Sequence, residues 1–215
     1  MVCDNCDPNK YYPGKLIKVK RDMLTCLLCD DLIASSSLPL KARICRWDTY
    51  FHNICIAVAS KSPCLSRQIG AILVRDHSII ATGYNGPPRG IPHCGEDRLL
   101  KDDNISGLLR GTQLQKSIIR TTCPRRILNY ESGTHLELCP AQHAETNCIA
   151  NAARMGVNVS NSSLYMNCVI SCKNCFGAII NAGIVELIVD DAKVYDQHTQ
   201  FLIDNSNIKI REFEL

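Results

Sequence analysis

The stretch HAETNCIANAAR, His143–Arg154, predicts an alanine-rich helix that begins at a histidine. A second predicted helix begins at the stretch CKNC, Cys172–Cys175. One histidine and two cysteines provide three ligands for a zinc ion. Three protein ligands leave the fourth tetrahedral position open, which is typical of a catalytic zinc site. Glu145 lies two residues after the histidine, so it can move protons beside that open position without binding the metal.

A closed structural site is the alternative interpretation of the same residues. A further cysteine nearby, such as Cys148 or Cys168, would then complete the zinc tetrahedron. That interpretation leaves Glu145 without a role, so the sequence favours the open, catalytic site.

The chain around these two motifs alternates between helix and strand patterns. Apolar residues recur at helical spacing from Trp47 to Ala59, and the run ends before Ser62-Pro63. Further helices are predicted at His143–Arg154, Cys172–Asn181 and Gln197–Ile203. Strands are predicted at Gly70–Val74, Ile79–Gly83, Ser163–Asn167, Ile184–Val189 and Ile208–Ile210. This alternation predicts an α/β domain in which helices cover a central sheet.

The composition is that of an ordinary globular protein. The chain has 215 residues, 46% hydrophobic and 21% charged, which is enough for one full domain and a small appendage. Its longest apolar runs fall far below the ~20 residues that a membrane span needs, and its first residues do not resemble a secretory signal. A net charge of +3 does not indicate a protein that wraps nucleic acid. We therefore expect a cytoplasmic protein without membrane or nucleic-acid partners.

Fourteen cysteines are unusual for a chain of this composition. Because no secretory signal is found, Cys-x-x-Cys pairs indicate metal binding in preference to disulfides. Two pairs near the start have the spacing of a structural zinc site and predict an N-terminal zinc ribbon: Cys3 with Cys6, and Cys26 with Cys29. This ribbon and a serine-rich linker span residues 1–45, and the main domain spans residues 46–215. The ribbon's basic residues favour a solvated face over a nucleic-acid contact.

Two irregular parts of the main domain carry functional potential. The loop Gly83–Gly90 is dense in turn residues and would bring backbone amides and the Asn85 side chain close to a ligand. Residues 91–140 form an insertion with many charges and little regular pattern. The cysteines of this insertion favour a segment held together by a bound metal ion over a disordered one.

The combination of His-x-Glu with a later Cys-x-x-Cys is typical of zinc-dependent nucleobase deaminases. The chain also contains further stretches that bear on its family: WDTYF at 47–51, CLSRQIGAILV at 64–74, TGYNG at 82–86, CPAQHAE at 139–145 and Leu164-Tyr165. On these stretches the chain resembles the deoxycytidylate (dCMP) deaminases of the cytidine deaminase superfamily, over about residues 46–212. The resemblance implies a three-layer α/β/α cytidine deaminase-like fold with a five-stranded mixed sheet. It also implies hydrolysis of dCMP to dUMP and ammonia for thymidylate synthesis, in which zinc-activated water attacks C4 and Glu145 carries the protons.

The resemblance further implies roles for residues that would contact the nucleotide. Asn85 is expected to bind the 3′-hydroxyl of the sugar. Ser66 and Arg67 are expected near the 5′-phosphate, since the planar fork of arginine suits a phosphate. Tyr165 and Tyr195 are expected to line the pocket.

The resemblance also implies a second, structural zinc in addition to that of the ribbon. Its expected ligands are Cys64, Cys94, Cys123 and Cys139, with His93 and His135 as alternates. One catalytic and two structural zinc ions are therefore expected. The proline that the family usually has before its second zinc motif is replaced here by Ser171, which can cap the helix instead, so zinc binding should survive.

Regulation is a further expectation from the resemblance. Many such enzymes form hexamers that dCTP activates and dTTP inhibits, and Mg²⁺ would accompany a bound dCTP. Arg154 lies where these enzymes place an interface residue coupled to that switch. A homo-oligomer, with a hexamer favoured, is therefore expected.

Two other functions remain open from the residues alone. One is a deaminase of cytosine or adenine in a polynucleotide, held by the basic ribbon. Aromatic residues are only 6% of the chain, so no platform for stacked bases is evident. The other is a non-enzymatic zinc scaffold that binds a partner through its ribbon.

Overall fold

A computed structural model describes residues 46–110, 116–131, 133–194 and 196–215, and two short strands nearer the start. Contacts within the chain divide it into two compact units, Met1–Cys45 and Arg46–Leu215. In the first unit, β1 (Ile17–Val19) pairs antiparallel with β2 (Met23–Thr25). Cys3, Cys6, Cys26 and Cys29 lie outside the described residues, so the zinc ribbon stays a prediction.

The second unit is built on a five-stranded mixed sheet. Its strands are β3 (Gly70–Arg75), β4 (Ser78–Tyr84), β5 (Ser163–Val169), β6 (Glu186–Asp191) and β7 (Lys209–Glu212). Their spatial order is β4-β3-β5-β6-β7. Strand β3 is antiparallel to both β4 and β5, whereas β5, β6 and β7 are parallel. The predicted mixed sheet is confirmed, and each predicted strand lies within two residues of its observed bounds.

Eight α-helices lie in the described part of this unit. They are α1 (Trp47–Ala59), α2 (Glu96–Lys101), α3 (Asp103–Arg110), α4 (Lys116–Thr121), α5 (Pro124–Ile127), α6 (Ala144–Arg154), α7 (Lys173–Asn181) and α8 (Gln197–Asp204). Helices α2 to α5 belong to the insertion, which the sequence predicted to be irregular. They are too short for a recognisable apolar period, and their buried residues are few, such as Ile105 and Leu109 of α3.

The sheet divides the helices into two layers because successive strand residues point to opposite faces. Ala71 and Leu73 of β3 join an apolar cluster with α6, α7 and α8. Ile72 and Val74 of the same strand pack instead with Phe51 of α1. This arrangement confirms the predicted three-layer architecture.

Two glycines allow both helix layers to approach the sheet closely. A Cβ at Gly83 of β4 would lie 2.3 Å from the backbone nitrogen of Cys148 in α6. A Cβ at Gly70 of β3 would lie 2.2 Å from the carbonyl oxygen of Cys55 in α1. Both distances are shorter than atoms tolerate, so any other residue would push a helix away from the sheet.

An ionic network covers part of the α1 face. Arg211 of β7 binds Asp48 of α1 through two nitrogens, and its Nε donates to Glu186 of β6 at 3.0 Å. The backbone nitrogen of Glu214 donates to Asp48 at 2.9 Å. The last strand is thus tied to the first helix of the domain by charge. No helix in the described part of the chain is both long and apolar enough to cross a membrane.

Candidate active site

The predicted zinc ligands come together at the N-termini of two neighbouring helices. His143 is the N-cap of α6, and Cys172 is the N-cap of α7, with Cys175 one turn further on. The Nδ1 of His143 lies 3.6 Å from the Sγ of Cys172 and 3.3 Å from the Sγ of Cys175. Among the described residues, no other group of three His, Cys, Asp or Glu side chains brings its ligand atoms within 4.8 Å.

The electrostatics of this trio suit a cation. Hydrogen bonds from Cys175 and His143 lower the pKa of Cys172 to about 4, so a thiolate is present at neutral pH. The hydrogen bond with Cys172 also raises the pKa of His143, while the positive charge of Arg67 acts in the opposite direction. One nitrogen and two sulfur ligands form a set that zinc prefers, and they leave one coordination position for a small ligand.

Glu145 stands beside the trio in the first turn of α6. Only 4% of it is exposed to solvent. The pKa of the Cys175 thiol is raised mainly by its hydrogen bond with Cys172 and by burial. Glu145 raises it further through its negative charge and a hydrogen bond with Cys175. A buried carboxyl group at the edge of a metal site is suited to carrying protons.

The Asn85 loop is fixed to the same site by backbone hydrogen bonds. Gly86 and Gln142 exchange two of them, with nitrogen–oxygen distances of 3.1 and 2.9 Å. Since Gln142 immediately precedes His143, the loop and the metal motif form one continuous structure. The side chain of Asn147 in α6 reinforces this contact by donating to the carbonyl of Tyr84 at 2.8 Å.

The Asn85 side chain is largely committed to holding the loop that enters β3. Its Oδ1 accepts from the backbone nitrogen of Ile69 at 2.8 Å and lies 2.8 Å from the Oγ of Ser62. Its Nδ2 donates to the carbonyl of Arg67 at 2.9 Å. Among the described residues its other Nδ2 hydrogen has no acceptor, so Asn85 would act toward a ligand as a donor and not as an acceptor.

Ser66 and Arg67, the expected phosphate residues, are exposed on this loop. The guanidinium of Arg126, from α5 of the insertion, donates from Nε to the Oγ of Ser66 at 3.0 Å. Sequence reasoning missed Arg126 because it lies 60 residues away in a segment without a recognisable motif. Arg126 is recognised as a neighbour of Ser66 only from the three-dimensional structure, because no local sequence pattern marks it.

Asp196 fixes the start of α7 where the family usually has a proline. Its carboxylate caps α8 by accepting from Thr199 N at 2.8 Å, and it also accepts from Lys173 N in α7 at 3.4 Å. Ser171 was predicted to cap α7. Instead it is buried, with its Oγ 3.7 Å from the Sδ of Met166, and Cys172 is the N-cap. The prediction for Ser171 is therefore wrong, because the neighbouring helix supplies the acceptor.

Tyr165 lies on the opposite face of the sheet from the trio. Its ring packs 4.8 Å from that of Phe51 and 5.8 Å from that of Phe213, in the cluster beneath α1. Tyr165 is thus a core residue and does not join the metal trio, which corrects the expectation that it lines the pocket. Tyr195 lies outside the described residues. Arg154 is exposed at the end of α6.

The cysteines expected to bind a second zinc do not form a group comparable to the first. Cys64, Cys94 and Cys139 are half-buried and Cys123 is buried, but no three of the four bring their sulfurs within 4.8 Å of one another. The charges of Cys139 and Cys123 nevertheless contribute, after burial, to the raised pKa of Cys94. Of the alternates, His135 pairs with Glu137 at 3.0 Å and stacks on Tyr130, and His93 is exposed.

Comparison with solved structures defines the class of fold. The chain is similar to the dCMP deaminase of the cyanophage S-TIM5, whose crystal structure is a complex with dCMP and dUMP. The TM-score is 0.51 at 19% sequence identity, covering 81% of this chain and 98% of the phage protein. This likeness supports a shared fold.

Sequence comparison then gives the family. The family model for the cytidine and deoxycytidylate deaminase zinc-binding region matches residues 45–190. The chain therefore belongs to this family.

Curated relatives of the chain include deoxycytidylate deaminases. The chain is 30% identical over 167 residues to that of Schizosaccharomyces pombe, and 29% identical over 149 residues to that of Mycobacterium phage D29. These alignments cover 78% of this chain and 44% of the yeast protein, and 66% of this chain and 92% of the phage protein. The chain thus spans less than half the length of the yeast relative.

Proposed function

We propose that this chain hydrolyses dCMP to dUMP and ammonia. The observation that carries this proposal is the meeting of His143, Cys172 and Cys175 beside the buried carboxyl group of Glu145. Membership of a zinc-binding deaminase family supports it. The names of the relatives, which are deoxycytidylate deaminases, support the choice of dCMP as substrate.

The metal trio fits zinc, and His143, Cys172 and Cys175 would hold it. When bound, zinc lowers the pKa of a coordinated water molecule from 15.7 toward ~7. Glu145 would accept the proton of that water and protonate N3 of the cytosine ring. It would then take the proton of the hydroxyl group added at C4 and deliver it to the departing amino group, which leaves as ammonia while C4 becomes a carbonyl. The same carboxyl group thus acts first as base and then as acid.

Asn85, which follows β4, would hold the sugar, and the loop before β3 would hold the phosphate. Asn85 has one amide hydrogen left to donate to the oxygen of the 3′-hydroxyl. Arg67 and Ser66 would bind the 5′-phosphate through the guanidinium and the hydroxyl group.

Assembly and regulation complete the proposal. A homo-oligomer, activated by dCTP with Mg²⁺ and inhibited by dTTP, would act in the cytoplasm and supply dUMP for thymidylate synthesis. Two structural zinc ions, one in the ribbon and one in the insertion, would bring the metal content to about three per chain. A measured content of one zinc would remove both structural sites from the proposal.

Ammonia release tests the reaction across dCMP, CMP, dCTP, deoxycytidine and single-stranded DNA. We expect dCMP to be the preferred substrate, and preference for single-stranded DNA would contradict the proposal. Replacing Glu145→Gln should reduce kcat for dCMP by about 10²–10⁴-fold at unchanged zinc content. Glu137→Gln is the matched control, because that glutamate is exposed and paired only with His135 among the described residues. Full activity of Glu145→Gln would refute the assigned proton carrier.

A further inference from the structure

We infer that Arg126 of the insertion binds the substrate's phosphate together with Arg67 and Ser66. This inference rests on the proposed function and extends it, because it assigns part of the nucleotide site to a segment outside the metal and loop motifs of the sequence. It makes the insertion a determinant of phosphate recognition.

The backbone of Arg126 is held in place by the start of its helix. Helix α5 begins at Pro124 after its N-cap, Cys123, and both residues are buried. The backbone nitrogen of Arg126 donates to the carbonyl of Cys123 at 2.9 Å. A side chain that starts from such a fixed backbone has less conformational freedom to lose when it binds an anion.

The hydrogen bond with Ser66 gives both side chains a useful orientation. Because Nε of Arg126 donates to the Ser66 oxygen, the hydroxyl hydrogen of Ser66 remains available to another acceptor. The terminal nitrogens of Arg126 make no hydrogen bond within the described part of the chain and keep the parallel donors that suit a phosphate. The Ser66 hydroxyl and the Arg126 guanidinium therefore offer donors at one exposed position.

The arginines at this position form no ion pair with a carboxylate of the described residues. Within that part of the chain, Arg98, Arg120 and Arg211 each pair with an acidic side chain, whereas Arg67 and Arg126 do not. Arg67 lies in the loop before β3, and Arg126 reaches the neighbouring Ser66 from α5. Two arginines so placed, both without such a carboxylate, favour the binding of an anion.

The proposed phosphate site is linked to the metal trio through Asn85 and its loop. Asn85 connects directly to Arg67 through its Nδ2, and the adjoining Gly86 pairs with Gln142 beside His143. A nucleotide whose base lies at the metal would extend past Asn85 toward Ser66 and Arg126, with its phosphate at the far end.

The test compares kinetics for dCMP and for deoxycytidine, which lacks the phosphate. In Arg126→Gln, KM for dCMP should rise about tenfold or more, since a hydrogen bond to a charged group contributes at least that factor. The kcat for dCMP, and kcat/KM for deoxycytidine, should stay within about twofold. Arg126→Lys should recover part of the loss because it restores the charge but not the fork.

Two further variants separate phosphate binding from a structural role. Arg120→Gln removes an exposed arginine that pairs with Glu96 elsewhere in the insertion, and it should leave both substrates unaffected. Ser66→Ala removes the anchor of Arg126 but keeps its charge, so its effect on KM should be smaller than that of Arg126→Gln. An unchanged KM for dCMP in Arg126→Gln, or equal losses for dCMP and deoxycytidine, would overturn the inference.

Calorimetric binding of dUMP distinguishes failure of this inference from failure of the proposed function. If the wild-type protein bound dUMP but released no ammonia from dCMP, the proposed reaction would be wrong. A weaker affinity of Arg126→Gln for dUMP would still support the phosphate contact. Equal dUMP affinities in the wild type and in Arg126→Gln would reject it whatever the reaction.

Discussion

On one face of the sheet, α6, α7 and α8 pack an apolar cluster against β3 and β5, and the metal trio lies at the helix ends of this layer. On the other face, α1 covers a smaller apolar cluster beside the network of Asp48, Arg211 and Glu186. Apolar packing thus supports the metal trio on the first face. On the second face, ion pairs fix the last strand of the sheet to α1. The two faces should therefore respond differently to substitution and to pH.

The largest expected effect comes from filling the close contact under α6. Gly83→Ala would place a Cβ 2.3 Å from the Cys148 backbone and displace the helix that carries His143 and Glu145. We expect a loss of about 3 kcal/mol in the free energy of unfolding, the upper part of the range for overpacking, and a loss of turnover. Urea unfolding and ammonia release measure the two effects.

Gly70→Ala is the matched substitution on the other face. Its Cβ would meet the Cys55 carbonyl at 2.2 Å, so the loss of stability should be similar. Zinc content and turnover should be retained below the unfolding temperature, because α1 carries no residue of the site. Gly107→Ala, where a Cβ meets nothing within 4 Å, serves as the control for both. Equal losses of activity in Gly70→Ala and Gly83→Ala would contradict the separation of the two faces.

The next effect is that of breaking the ionic network. Asp48→Asn leaves the half-buried charge of Arg211 with Glu186 as its remaining carboxylate partner among the described residues. We expect a loss of about 1.5–3 kcal/mol in the free energy of unfolding, the range for hydrogen bonds to charged groups, with kcat within about twofold of the wild type. A lower urea midpoint at pH 7, without a change in activity, would confirm this. Loss of activity at unchanged stability would place Asp48 in the site instead.

The same network predicts how stability depends on pH. Burial acts to raise the pKa of Asp48 and of Glu186, but their hydrogen bonds, including those with Arg211, lower both pKa values below the usual range. A carboxyl group with a lowered folded-state pKa stabilises the protein above its unfolded pKa of about 4, and this contribution disappears as pH falls through the folded value. The wild type should therefore lose stability below about pH 4, and more steeply than Asp48→Asn. Parallel curves from chemical unfolding at several pH values would argue against this assignment.

The smallest effect is expected at the exposed edge of the network. Lys209 lies 3.2 Å from Glu186, but its side chain is 71% exposed. Lys209→Ala should change the free energy of unfolding by less than ~0.5 kcal/mol, since exposed ion pairs contribute little. A larger loss in urea unfolding at pH 7 would mean that the network extends to the surface.

Local pattern was enough to predict some parts of the molecule. Short apolar runs placed five strands, and the ligand chemistry of His143, Cys172 and Cys175 indicated one metal site from residue types and spacing alone. The expectation for Tyr165 came from the family resemblance, and the sequence does not tell which face of the sheet meets the site. The contact with Phe51 places Tyr165 on the opposite face from the metal trio.

Long-range contacts could not be predicted in the same way. Asp48 and Arg211 are 163 residues apart, and Arg126 and Ser66 are 60 apart, so no spacing rule connects them. Asp196 replaces the expected cap at Ser171 because a second helix begins beside the first. Each of these contacts depends on how elements pack together, which local periodicity does not encode.

The pair of hydrogen bonds between Gly86 and Gln142 makes residues 87–141 a closed excursion whose two ends meet at one point. Doubling the length of such an excursion costs only about 0.6 kcal/mol of closure entropy. Segments can therefore be lengthened, shortened or exchanged there during evolution without moving His143 or Asn85. Exchange of this one segment could therefore change which group is preferred at the far end of the ligand, while the metal trio and Glu145 stay in place.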